Sequence, residues 1–185
     1  MSLSSEALVK RINLSSCNGP SNATVVVVPL PKKTVGVIFG QMIAEWPQRF
    51  NTYLLDVNDN IVMDPQVLWD ARSDGSRFNV TEIVPQSAMP MDSHVLSLGP
   101  YNEDRNIAIY CSHKKAGQSS YTQSDPRHTF IGGKNAITFT MVKPVIFQQF
   151  GPIIDCSYLQ INAEDGGDTD YHDTVVGVAV NFMTK

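Results

Sequence analysis

The sequence predicts an all-β fold, a single antiparallel β-sandwich or jelly roll, and three observations carry that expectation. Runs of Val, Ile, Phe, Tyr and Leu recur after Pro20 at roughly 8–12-residue spacing, the rhythm of short strands in a sandwich. Turn formers separate the runs, as in Asn58-Asp59-Asn60, Ser73-Asp74-Gly75, Gly99-Pro100, Gly132-Gly133 and Asp165-Gly166-Gly167. Finally, Ile137, Phe139 and Met141 alternate with threonines, and Val176, Val178 and Val180 with small residues, the period of strands with one face turned inward.

Taken in order, the expected strands are 23–30, 34–39, 50–57, 61–63, 67–71, 77–84, 95–98, 106–111, 128–131, 136–142, 153–161 and 174–182. Ahead of them, residues 4–12 carry a Ser cap and then Ala7, Leu8, Val9 and Ile12 at helical spacing, which predicts a short N-terminal helix. The expected organisation is one domain over 1–185. It comprises an N-terminal arm (1–33), a sandwich core (34–143) and additional C-terminal strands (144–185), with Lys143-Pro144 interrupting the pattern. A lone hairpin buries too little apolar surface to stand in water, so the two C-terminal strands must pack on the main domain or on a neighbouring subunit; they are expected in the folded core, with Val176, Val178 and Val180 inward.

Composition narrows the function. Hydrophobic residues make up 42% of the chain, enough for a core, and charged residues only 17%. The net charge is −4 and no Lys/Arg run exceeds two residues, so nothing offers the clustered cations that a phosphate backbone needs. Nucleic acid is not an expected partner. The longest apolar runs, such as Val25–Leu30, fall far short of the ~20 residues of a spanning helix, and the N-terminus lacks a secretory pattern. These features predict no membrane span and a cytoplasmic, non-classically exported or virion-borne protein. Cys17, Cys111 and Cys156 are an odd set without C-x-x-C spacing and read as free thiols.

Catalytic chemistry is not expected. His94, His113, His128 and His172 have no metal-ligand spacing, Cys111 sits within a strand, and neither a G-x-S-x-G elbow nor a phosphate loop is present. No cofactor is implied. Two acidic clusters remain. Asp56 to Asn60 reads as a hairpin turn. Glu164, Asp165, Asp168, Asp170 and Asp173 place five carboxylates in ten residues, either a solvated loop or a calcium site with Asp165, Asp168, Asp170 and Asp173 as ligands. Trp46, flanked by polar residues and Pro47, offers a platform for a sugar or partner, whereas Trp69 reads as core.

Between Arg49 and Glu82 the chain resembles the carbohydrate-recognition core of galectins. Arg49-Phe50-Asn-Thr-Tyr-Leu54 is similar to that family's R-F-x-I-N-L strand, and Asp59 to Gln66 resembles the H-x-N-P-R segment with Pro65 in place. Val67 to Glu82 resembles the next two strands, and Asn106–Tyr110 and Gly133–Phe139 the later ones, so the resemblance spans residues 35–143. It implies a sugar-binding set on one concave sheet face. At the family's ligand positions this chain has Val62, Asp64, Gln66, Asp70 and Phe78, and only Glu82 persists, which implies altered specificity. The implied site is Asp64, Gln66, Asp70, Arg72, Phe78 and Glu82, with Trp46 beside it.

The expectation is therefore a non-enzymatic, lectin-like module that binds a glycan or protein surface and forms a homo-oligomer. The alternatives are a self-assembling structural protein (viral coat, fibre or inclusion protein) and a calcium-dependent adhesion domain.

Overall fold

The structure is a computed structural model that describes residues 9–71, 77–126, 140–142 and 154–183. Twelve strands appear among them: β1 (Val9–Ile12), β2 (Ala23–Leu30), β3 (Thr34–Met42), β4 (Gln48–Leu55), β5 (Ile61–Ala71), β6 (Asn79–Val84), β7 (Leu96–Leu98), β8 (Arg105–His113), β9 (Thr122–Gln123), β10 (Thr140–Val142), β11 (Ile154–Ala163) and β12 (Thr174–Met183). The described residues contain no α-helix, only two single-turn 3-10 segments at Ser15–Cys17 and Gln86–Ala88.

The strands form two antiparallel sheets. The first runs β1-β2-β8-β4-β5-β6, with β9 also paired to β8, and the second runs β10-β11-β12-β3-β7. The fold is thus an all-β antiparallel sandwich. Alternation fills its interior: Val26, Val28, Ile107, Ile109, Phe50 and Trp69 from the first sheet meet Ile38, Leu159, Ile161, Val176, Val178 and Val180 from the second. Phe50 is the centre of an aromatic knot, stacked on Trp69 at 4.8 Å and edge-on to Phe78 at 4.8 Å. Trp69 loses no polar group to burial, because its indole N–H donates to Thr52 Oγ1 at 3.1 Å. Gly40 is required beneath this knot, since a Cβ there would lie 2.7 Å from Phe50 and 2.9 Å from Phe78.

Two expectations need correction. The helix over residues 4–12 is not found where it is described: Val9–Ile12 is a strand, paired residue by residue with Ala23–Val26. Helix propensity is a weak preference that tertiary pairing overrides, and here the edge of β2 supplies the backbone partners. Residues 4–8 lie outside the described set. Likewise β2, within the segment assigned to an arm, lies between β1 and β8 in the first sheet. The expected strands at 128–131 and most of 136–142 also fall outside the described residues.

The N-terminal segment has a second use. Leu14, fully buried, folds onto the outer face of the first sheet and gathers Val25, Val27, Tyr53, Leu55 and Tyr110 into a second apolar cluster. Leu14 N–H donates to Pro20 O and Gly19 N–H to Leu14 O, each at 3.0 Å, so residues 14–20 close into a tight loop. A side chain at position 19 would overlap Leu14, with the added Cβ 2.5 Å from Leu14 Cβ. This loop covers part of the outer face, and among the described residues the rest is left open.

Two irregularities shape that open part. Pro65 has no N–H for the ladder, and β5 departs from β4 there: Tyr53 faces Gln66 but Leu54 faces Val62, so residues 63–65 loop out. On β6 the register slips between Leu68 and Trp69, with Leu68 facing Glu82 and Trp69 facing Val80. The extra residue is Thr81. The bulge keeps Val80 and Ile83 buried while Thr81 and Glu82 are both exposed.

Candidate functional site

The first candidate is a cleft of about 390 Å³ on the outer face of the first sheet. Strand parity builds its floor. Arg49, Asn51 and Tyr53 alternate on β4 with the buried Gln48, Phe50 and Thr52. Gln66, Leu68 and Asp70 alternate on β5 with Val67, Trp69 and Ala71, and Glu82 comes from β6. Residues 17–20 form one wall and Tyr121 another. Arg49 and Asp70 are bound in fork geometry, Nε to Oδ1 at 2.7 Å and Nη2 to Oδ2 at 3.2 Å, and Thr81 Oγ1 also donates to Asp70 at 3.0 Å. The Tyr121 ring lies 4.0 Å from the guanidinium carbon. Burial works against the Arg49 charge, but the hydrogen bond and charge of Asp70 outweigh it and leave the guanidinium pKa raised. Burial also raises the pKa of Tyr53, Tyr110 and Tyr121, so these phenols keep their protons at neutral pH.

The second candidate is the turn joining β11 to β12, residues 164–173. Its carboxylates are drawn together by their own backbone. Glu164 accepts from Gly166 N–H at 2.9 Å and from Tyr171 N–H at 3.1 Å. Asp165 accepts from Gly167 N–H at 3.1 Å, and Asp173 from Asp165 N–H at 2.8 Å. Asp168 and Asp170 each accept from the N–H two residues on, both at 3.1 Å. The result is two overlapping triads that share Glu164: Glu164, Asp168 and Asp170, and Glu164, Asp165 and Asp173. Within each, one oxygen from every residue lies within 4.8 Å of the others. Glu164 and Asp165 are buried, and none of the ion pairs among the described residues engages them or Asp173. Burial, together with the nearby Asp165 and Glu164, pushes the Asp173 carboxyl up to about 7.

Neighbouring elements fix this turn to the sandwich. Gln48, fully buried, donates to Asp165 Oδ2 at 2.9 Å and accepts from Thr174 Oγ1 at 3.0 Å. Ile43 N–H donates to the Asp173 carbonyl at 3.2 Å, and Glu164 exchanges backbone hydrogen bonds with Asp125. Trp46 stacks on His113, with ring centroids 6.1 Å apart, and carries the Lys115 ammonium 4.9 Å from its own ring centre. The His113 ring nitrogens lie 2.9 Å from Ser124 Oγ and 3.1 Å from Thr122 Oγ1, and burial lowers its pKa.

The sequence-derived residues therefore divide. Gln66 and Glu82 come together in the cleft, and Asp70 stands beside it, bound to Arg49. Asp64 does not; it lies on the looped-out 63–65 segment and lines a separate cleft of about 320 Å³ with Pro85, Leu98 and Tyr101. Phe78 is corrected outright: it is fully buried between the sheets against Phe50 and presents no face to a ligand. Arg72 lies outside the described residues. Trp46 is half-buried beside the acidic turn, away from the cleft. Asp168 and Asp170 group with Glu164 in one triad, and Asp165 and Asp173 group with Glu164 in the other. Reading the sequence missed Arg49, Asn51 and Tyr121 as cleft residues and Gln48 as the tether of the turn. The parity of Arg49, Asn51 and Tyr53 was available in the sequence, but the approach of Gln48 to a residue 117 positions away was not. The Asp56–Asn60 stretch is a hairpin turn, with Asp56 Oδ1 accepting from Asn58 and Asn60 N–H. Cys111 is buried, and the burial pushes its thiol up to about 12, which favours the protonated thiol. No helix among the described residues is long and apolar enough to cross a membrane.

No family model matches the chain, and no curated protein matches it in sequence. Similar solved structures include three bacterial lectins. The C-terminal domain of the BC2L-C lectin from Burkholderia cenocepacia has a TM-score of 0.42 at 14% identity, over 86% of this chain and 96% of that one. The Chromobacterium violaceum lectin CV2L, solved with alpha-methyl-fucoside, scores 0.40, and the Ralstonia solanacearum high-affinity mannose-binding lectin 0.39, both at the same identity and coverage. None of the three is a galectin by name. At these scores the likenesses bear no weight for function.

Proposed function

We propose that the chain is a glycan-binding module that engages sugar through a calcium ion held by the 164–173 turn. The observation that carries this reading is the pair of carboxylate triads sharing Glu164. Their donor set suits a hard cation: every ligand atom is a carboxylate oxygen, and calcium takes six to eight oxygens in flexible geometry. Backbone N–H bonds already fix the orientation of each carboxylate, so the turn is organised before any ion arrives. Glu164, Asp165, Asp168, Asp170 and Asp173 would hold the ion. When bound, it would supply open coordination positions for neighbouring hydroxyls of a sugar. Asp168 and Asp170 are exposed and stand where a ligand can approach.

Calorimetric titration with calcium chloride, followed by retention on immobilised mannose and fucose with and without EDTA, tests the proposal. Saturable calcium binding and retention abolished by EDTA are expected. Absence of a calcium heat, or retention indifferent to EDTA, would refute it.

A further inference from the structure

We infer that the cleft on the outer face of the first sheet is a second site, independent of calcium, for a neutral saccharide. Nothing in this inference depends on the acidic turn.

Charge limits the ligand first. Among the described residues Arg49 is the cation of the lining, and Asp70 already engages it through two hydrogen bonds. With the Arg49 charge met by Asp70 beside the lining, Glu82 is left as the uncompensated charge of the described lining, so an anionic ligand would be repelled. Hydrogen-bonding capacity points the same way. The Asn51 amide is half-buried and makes no hydrogen bond among the described residues, although it lines the cleft. An amide offers two donors and an acceptor, and the protonated phenol of Tyr121 offers one donor and one acceptor. A hydroxyl group both donates and accepts, so groups of this mixed kind match a polyol better than a ligand made only of acceptors.

The apolar part of the lining completes the match. Leu68 and Val84 stand among the polar groups, which gives a saccharide ring both an apolar contact and partners for its hydroxyls. The volume of about 390 Å³ falls within the roughly 300–1,000 Å³ usual for small-ligand sites. The floor is also rigid, because β4 is paired on both sides, to β5 and to β8, and little ordering remains for a ligand to impose.

Saturation-transfer NMR in EDTA, with a panel of neutral mono- and oligosaccharides and their sulfated counterparts, tests this. The comparison uses the wild type, Asn51→Leu, and the turn variant Asp168→Asn/Asp170→Asn. Transfer to at least one neutral sugar is expected in the wild type and equally in the turn variant. It should be insensitive to salt and about tenfold weaker in Asn51→Leu. Thermal unfolding checks that Asn51→Leu is folded, and Tyr121→Ser gives the same reading from a position outside the strands. No transfer in EDTA, transfer confined to sulfated sugars, or transfer unchanged in both cleft variants would overturn the inference. The calorimetric titration with calcium reports on the turn and this experiment on the cleft, so the two sites fail separately.

Discussion

The cleft over β4 and β5 and the turn between β11 and β12 both gather polar side chains, but they solve the problem of holding them differently. In the cleft, ladder hydrogen bonds hold the backbone and parity alone decides which side chains face out; the charges there are largely neutralised within the protein, as in Arg49 and Asp70. In the turn, the carboxylates themselves accept the backbone N–H groups, so fold and charge cluster are one object. The first region pairs Arg49 with Asp70 within the protein. The second carries like charges within 4.8 Å and relieves them by keeping the Asp173 proton. A cation would replace that proton. The contrast teaches that strands hold polar side chains through backbone pairing, while a turn holds them through the hydrogen bonds those side chains accept.

The largest effect expected is in the layer beneath the cleft. Trp69→Ala removes a fully buried ring stacked on Phe50 and should cost about 3–5 kcal/mol in urea unfolding. If the regions are independent, calcium affinity of the folded variant stays within about twofold of the wild type. A parallel fall in calcium affinity would show that they are coupled.

Next is Glu164→Gln, which removes the carboxylate common to both triads. Outer partners of metal ligands are worth about 10–100-fold in affinity, so a shared ligand should cost at least about 100-fold in calorimetry. Sugar binding in the cleft should not change. A loss of less than tenfold would move the ion elsewhere.

The third is a pH dependence. The Asp173 pKa is raised from 3.8 to about 7, so between these values the native state holds a proton that the unfolded chain has lost. Its contribution to stability is therefore fully present below about pH 4 and is lost as pH rises toward 7. Without calcium, the melting temperature of the wild type should fall over that interval relative to Asp173→Asn, which has no proton to lose. Calcium needs the ionised form, so its affinity should rise up to about pH 7 and its stabilising effect should be greater at pH 8 than at pH 5. Identical pH profiles for the wild type and Asp173→Asn in EDTA would refute the assignment.

Smallest is Arg49→Met. The pair with Asp70 is partly exposed, and such pairs contribute about 0.2–1 kcal/mol, so chemical denaturation should change by no more than that. What should change is cleft chemistry. With Asp70 and Glu82 unopposed, a cationic amino sugar should gain over its neutral analogue, whereas an unchanged preference would mean the pair does not set the local charge.

Periodicity and turn residues determined, from sequence alone, that the chain is an antiparallel sandwich. Alternating apolar residues have only one way to leave water, and the burial of Val176, Val178 and Val180 follows from their parity. The acidic turn was legible for the same local reason: Glu164, Asp165, Asp168, Asp170 and Asp173 are near in sequence, and a ten-residue connection cannot carry them far apart. What the sequence misjudged depended on partners distant along the chain. Val9–Ile12 became a strand because β2 offered an edge, and Phe78 became core because Gly40 leaves room beneath the Phe50 ring. The bulge at Thr81 put Glu82 opposite Leu68 on the face that Gln66 shares, while Asp64, beside the excursion at Pro65, lines a different cleft. Gln48 reached Asp165 across 117 residues. Side-chain pattern is local and survives in the sequence; register and strand order are settled by pairing energies summed across two sheets, and only the tertiary structure decides them.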